Sequence, residues 1–112
     1  MSGRGRAAED AALEFLRDRG LTVLERNYRC RFGEIDLVMR QGHTLVFVEV
    51  RSRKSKYFGG ALESITARKR DRLRAAARHY MAAHKEIPAC RFDAVLLESD
   101  NAPHWIQNAF GD

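Results

Sequence analysis

A chain of 112 residues, 45% apolar and 31% charged, has the size and composition of one compact domain with one hydrophobic core, which excludes a multi-domain arrangement. No apolar run approaches the length that crosses a bilayer, and charges interrupt the N-terminal stretch where a secretory signal needs an unbroken apolar segment, so a cytoplasmic protein with no membrane partner is expected. The formal charge of +5 is concentrated: residues 51–85 hold eleven basic side chains against two acidic ones, so the remainder is net acidic. A solvated helix face accounts for such a run, and so does a phosphate-rich partner.

In chain order, residues 4–19 repeat apolar side chains at helical spacing, with Ala8, Ala12, Phe15 and Leu16 set among charges and Gly20 placed to stop a helix. Residues 21–28 open with β-formers and predict a strand, followed by a short polar stretch at 29–32. Residues 35–40 and 44–51 are the clearest strands, and Gly42 at the first central position of the intervening turn suits a type II′ hairpin. Residues 52–60 are polar, basic and end in two glycines, which predicts a loop. A long helix is expected over 66–85, where Leu73, Ala76, Ala77, Tyr80 and Met81 form one apolar stripe and arginines cover the rest, with Pro88 beyond its end. Strands are expected at 91–98 and, shorter, at 105–107. This order implies an α/β domain, helices packed on a mixed sheet of four to five strands. Cys30 and Cys90 stand sixty positions apart with no CxxC or Cys/His cluster, so neither a disulfide framework nor a zinc site is indicated, and both are expected to be buried or half-buried thiols.

The hairpin carries the chemistry. With Gly42 and His43 as loop residues, Met39 faces Val46, Leu37 faces Val48 and Ile35 faces Val50 on an apolar face. Side chains alternate along a strand, so the other face sets Asp36 opposite Glu49 and Val38 opposite Phe47, with Arg51 beyond Glu49 on the same side. Two unit charges about 5 Å apart at an effective dielectric near 20 repel by roughly 3 kcal/mol, so something positive belongs between these carboxylates. A divalent cation would serve, since paired carboxylates with room for water suit magnesium. A salt-bridge cluster with Arg40, Arg51 or Arg53 would serve equally. Two more charges sit on apolar stripes: Glu9, in line with Ala12, Leu13 and Leu16, and Lys69, one turn before Leu73. Lys69 can snorkel to a helix edge, whereas a short glutamate cannot reach far.

The ordered set Gly33-Glu34-Ile35-Asp36-Leu37-Val38 and Phe47-Val48-Glu49-Val50-Arg51-Ser52-Arg53 resembles the metal-binding core of the PD-(D/E)XK nuclease superfamily. Together with Gly5, Glu9, Ala12, Phe15-Leu16, Arg26-Asn27-Tyr28, Phe58-Gly59, Lys69 and Arg91-Phe92-Asp93, the chain is similar over nearly its whole length to the YraN-like family of bacterial proteins. The resemblance implies a restriction-endonuclease-like α/β/α core, similar also to Holliday-junction resolvases, and a magnesium or manganese ion as cofactor. In it Glu9 matches a helix-borne glutamate, Asp36 and Glu49 match metal ligands, and the Val50 carbonyl completes the coordination. Resolvase-like enzymes often work as dimers, since two symmetric cuts need two sites, so a homodimer is implied as well. Arg51 stands where the motif has lysine. An arginine can clamp a phosphate but, permanently protonated, cannot act as a base, so either Arg51 acts electrostatically, or Lys69 supplies the ammonium, or the site binds without cutting.

Three functions follow for comparison. The first is a metal-dependent nuclease on branched or flapped DNA, with Glu9, Asp36, Glu49, Arg51 and Lys69 at the reacting centre. Arg51, Arg53, Lys54, Lys56, Arg68, Arg72 and Arg74 would hold phosphates there, and Tyr57 and Phe58 would stack on an unpaired base. The second is a non-catalytic nucleic-acid-binding module, and the third a protein-interaction domain with a basic face.

Overall fold

The computed structural model describes residues 3–53, 65–85, 89–98 and 102–110. Helix α1 (Gly3–Asp18) leads into strands β1 (Thr22–Cys30), β2 (Gly33–Gln41) and β3 (Thr44–Arg53), then helix α2 (Ala67–Ala83) and strands β4 (Cys90–Glu98) and β5 (His104–Ile106). The five strands form one sheet in the order β1-β2-β3-β4-β5, antiparallel except for the parallel β3–β4 pair. A parallel pair cannot be closed by a tight turn, and α2 lies in the chain between β3 and β4 as the crossover. The domain is therefore α/β with a mixed sheet, as its element order implies.

Strand alternation divides the core into two layers. Leu37, Met39, Val46, Val48 and Val95 pack with Ala12, Leu13 and Leu16 of α1. Val38, Leu45, Phe47 and Phe92 pack with Leu73, Ala76, Ala77 and Tyr80 of α2. Each helix thus buries the stripe its spacing marks, and Met81 packs at the margin of the second layer. Thr66 caps α2 by accepting a hydrogen bond from the Lys69 backbone N–H at 3.1 Å, which places Lys69 in the first turn.

The structure departs from the sequence-based expectation at three places. Half of the polar stretch at 29–32 is strand: the β1–β2 ladder runs on through Arg29↔Glu34 to Cys30↔Gly33, leaving Arg31 and Phe32 in the turn. A cross-strand ion pair between Arg29 and Glu34 at 3.0 Å supports that extension on an edge strand, where polar side chains meet water. Gly33 takes φ +145°, a value that favours glycine. Cys90 is exposed rather than buried, being the first residue of β4, whereas Cys30 is half-buried. Ile35 lies with Val38 and Phe47 in the α2 layer instead of sharing the face of Leu37 and Met39, while Val50 packs in the α1 layer.

The third departure has a visible cause. Asn27 in β1 adopts φ +52°, and the chain switches faces there: Arg26 reaches α1, whereas Tyr28 packs in the α2 layer. Its partner strand switches at the same level, between Ile35 and Leu37. Asn tolerates this left-handed conformation better than most non-glycine residues.

Candidate active site

The predicted hairpin register holds from Gln41↔Thr44 to Leu37↔Val48, and Gly42 alone in the turn has positive φ, at +61°, as a type II′ turn requires. The ladder described between β2 and β3 stops there. Asp36 and Glu49 were expected as its next opposed pair and Ile35 and Val50 as the one beyond. Instead Asp36 Oδ2 accepts a hydrogen bond from the Val50 N–H at 2.8 Å. Turning one carboxylate onto a backbone donor gives its charge a partner, which a regular ladder with two like charges abreast would not do.

Glu49 is held away from water, with 4% of its side chain exposed, and Asp36 is half-buried. They lie close enough for each to influence the other's ionisation. Burial first, then the Glu49 charge, push Asp36 up to about 7, against a lowering contribution from the Val50 N–H. Glu49 is raised as well, because burial outweighs the cations beside it, Lys69 ahead of Arg51. Those cations are close: Arg51 Nη2 lies 3.1 Å and Lys69 Nζ 3.7 Å from Glu49 Oε2. With two cations on Glu49 and none on Asp36 among the described ion pairs, Asp36 is the partner that carries the proton near neutral pH.

Of the positive charges expected beside the carboxylates, the structure shows Arg51 and Lys69, both against Glu49. Arg51 comes from β3, two residues beyond Glu49, and Lys69 from the first turn of α2. Arg51 Nε is buried with no hydrogen-bond partner among the described residues.

Glu9 approaches from α1. It is 6% exposed, its Oε1 accepts a hydrogen bond from Asn27 Nδ2 at 2.9 Å, and Arg26 Nη2 lies 3.9 Å away. Burial raises its pKa, the Asn27 hydrogen bond works against that, and the negative charge at Asp36 adds to the rise. Glu9 thus feels Asp36 electrostatically, yet among the described residues no group of three or more His, Cys, Asp and Glu side chains stands close enough to hold a metal ion.

Of the residues expected to meet nucleic acid, Arg68 and Arg72 are exposed on α2 and make no ion pair among the described residues. Arg74 is engaged within the fold, donating to Asp71 Oδ1 at 3.3 Å and to the Phe110 carbonyl at 3.2 Å. Arg53 ends β3, and Lys54, Lys56, Tyr57 and Phe58 lie outside the described residues, as does most of the expected loop at 52–60. Two residues carry more of the architecture than their spacing alone revealed. Asn27 positions Glu9. Asp93, fully buried, accepts from Arg91 Nε at 3.0 Å, Trp105 Nε1 at 2.9 Å and the Asn108 N–H at 2.9 Å, fastening β5 and the final turn to β4. An asparagine inside a strand and an aspartate amid apolar residues were the signals available for them.

Fold and site together define a mixed-sheet α/β protein whose central hairpin carries at one end a carboxylate pair, one member buried and the other half-buried, flanked by a basic helix. The chain belongs to the uncharacterised protein family UPF0102, whose family model matches residues 8–97. It is 56% identical over 111 residues to a UPF0102 protein of Nitrosomonas europaea, covering 97% of this chain and 94% of that one. A UPF0102 protein of Methylobacillus flagellatus is 54% identical over 112 residues, covering 98% of each chain. One from Shewanella loihica is 50% identical over 107 residues, covering 96% of this chain and 93% of its own. Among the described residues no helix is long and apolar enough to cross a membrane.

Proposed function

We propose that this protein is a divalent-cation-dependent nuclease that hydrolyses phosphodiester bonds in structured or branched DNA. One observation carries the reading: a buried Glu49 and a half-buried Asp36 lie close enough to influence each other's ionisation, and both are raised in pKa, so they share a place suited to a proton or a cation. The donors are hard oxygens, two carboxylates and the neighbouring Val50 carbonyl, which suits magnesium or manganese. Magnesium keeps several waters of its own, so few protein ligands are needed to hold it. When bound, such an ion supplies a water of lowered pKa and neutralises charge developing on the phosphate.

The remaining work falls to the chain. Arg51 clamps a phosphate oxygen with its guanidinium, a permanent cation at the edge of the carboxylate pair. Lys69 orients the attacking water or the scissile phosphate from the helix side. Glu9, tied by Asn27, adds negative charge near Asp36 and favours cation over proton there. Two such sites in a homodimer would make the paired cuts a branched junction needs.

A second reading, nucleic-acid binding without turnover, is favoured by one specific observation: Arg51 and Lys69 both already lie against Glu49 Oε2. The test is cleavage of labelled flap, four-way junction and duplex DNA by purified protein with magnesium or manganese. The nuclease reading expects metal-dependent products that disappear in Asp36→Ala and Glu49→Ala. Products that persist in both variants would belong to a contaminant, and salt-sensitive binding with no products at all would establish the second reading.

A further inference from the structure

Beyond the carboxylates, a groove of about 500 Å³ runs between α2 and the β1–β2 turn, lined by Arg29, Gly33, Glu34, Lys69, Arg72 and Leu73. Lys69 is common to the groove and to the Glu49 ion pair, so the two spaces adjoin. Arg29 and Glu34 neutralise each other on one wall at 3.0 Å, which leaves Arg72 as the uncompensated charge beside Lys69. Arg68, one turn earlier on α2, is exposed and likewise without an ion pair among the described residues.

Phe32 stands in the turn that borders this groove and is 39% exposed, one of two large apolar side chains so exposed among the described residues. The Arg31 guanidinium lies 5.0 Å from its ring centroid, and the His79 ring of α2 meets it edge-on at 5.9 Å. His79 is ten residues beyond Lys69, or about 15 Å along the helix at 1.5 Å per residue. A strand of a few nucleotides spans that distance.

We infer that this groove is a binding track for single-stranded nucleic acid, with Arg68 and Arg72 on the phosphates and Phe32 as the platform on which an unpaired base stacks. Charge selects a polyanion, and an exposed ring beside a guanidinium selects a flat, polarisable partner. A base paired inside a duplex offers no free face to a turn, so the platform discriminates single strands and unpaired flaps from blunt duplex. The inference shares with the proposed nuclease function the premise that the basic face meets nucleic acid. It goes further in assigning the recognised class and Phe32.

The experiment is fluorescence anisotropy with labelled oligo-dT, oligo-U and a blunt duplex, in EDTA so that nothing is cut. Phe32→Ala is expected to weaken both single strands about tenfold and leave the duplex unchanged, with Phe32→Trp restoring binding. Arg72→Ala should weaken every probe and reduce the single-strand log–log salt slope by about 0.7. Thermal melting confirms that each variant is folded. Wild-type single-strand binding that Phe32→Ala does not alter, or an equal loss for duplex and single strands, overturns the inference and leaves the nuclease reading standing. Phe32-dependent binding by a protein that cleaves nothing with magnesium sustains the inference and overturns the nuclease reading. No binding of either single strand at low salt overturns the inference, and the cleavage assay with flap and junction DNA then decides the nuclease reading by itself.

Discussion

The carboxylate pair makes the metal-free protein less stable than its packing allows, and Asp36→Asn should expose that cost. In the folded chain Asp36 is raised from 3.8 to about 7 by burial and by Glu49. Between those two values the folded state binds a proton that the unfolded state has lost, so stability falls as pH rises through this window and levels off above about 7. At about 1.4 kcal/mol per pH unit, the loss is roughly 1.5 kcal/mol at pH 5 and about 4 kcal/mol at pH 8. Asparagine keeps an oxygen for the Val50 N–H and brings a permanent donor beside Glu49, so the variant retains the backbone hydrogen bond without the charge. It should gain on the order of 2–4 kcal/mol at pH 8 and much less at pH 5. For a domain of this size the pH 8 gain corresponds to a rise of about 10–15 °C in Tm. Thermal unfolding followed by circular dichroism in EDTA at the two pH values measures it. A variant no more stable than wild type at pH 8, or equally stabilised at both pH values, would refute the claim that Asp36 is a strained, proton-holding acid.

Glu49→Gln should act in the opposite sense at pH 8, losing about 1 kcal/mol in urea unfolding because Arg51 and Lys69 are left facing each other, partly relieved by solvent. Magnesium should raise the Tm of wild type at pH 8 and fail to raise that of Asp36→Asn, a shift that grows with the logarithm of ion concentration and needs no activity assay. Asp93→Ala should cost about 3–5 kcal/mol, measured by urea unfolding, because Arg91, Trp105 and the Asn108 N–H lose a common acceptor inside the protein. Asn27→Ala should cost about 2–3 kcal/mol, and Asn27→Gly less, since glycine restores the left-handed backbone but not the hydrogen bond to Glu9.

The helices and the hairpin were legible because their signals are periodic: the apolar stripes of α1 and α2 and the alternation of residues 37–48 each admit one packed solution. Placing Asp36 and Glu49 as close neighbours followed from that alternation. It failed at the next step, where Ile35 was assigned to the wrong layer and the ladder was carried past Leu37↔Val48. Alternation presumes an uninterrupted strand, and the interruption arises on the neighbouring strand, at Asn27, whose left-handed backbone no pattern within β2 records. Asp93 escaped for a related reason, since its three donors come from both sides of it in sequence and converge only once β5 folds back.

The position of Lys69 connects the carboxylates to the basic helix. The first turn of α2 contains Arg68, Lys69 and Arg70 and no acidic residue, and lysine occupies the position where a capping box would place glutamate. Three cations at the positive end of a helix dipole are locally unfavourable by some tenths of a kcal/mol each. Glu49 offsets one of them, and Arg70 donates to the Ile65 carbonyl at 3.2 Å. Arg68 and, one turn on, Arg72 keep their charge toward solvent. A cationic cluster that opposes its own helix, yet borders a close pair of acids, is poorly explained as a solvating surface. An anion docked at that helix end would relieve the dipole, compensate the arginines and deliver its charge beside Glu49 and Asp36, and a phosphodiester meets all three requirements at once.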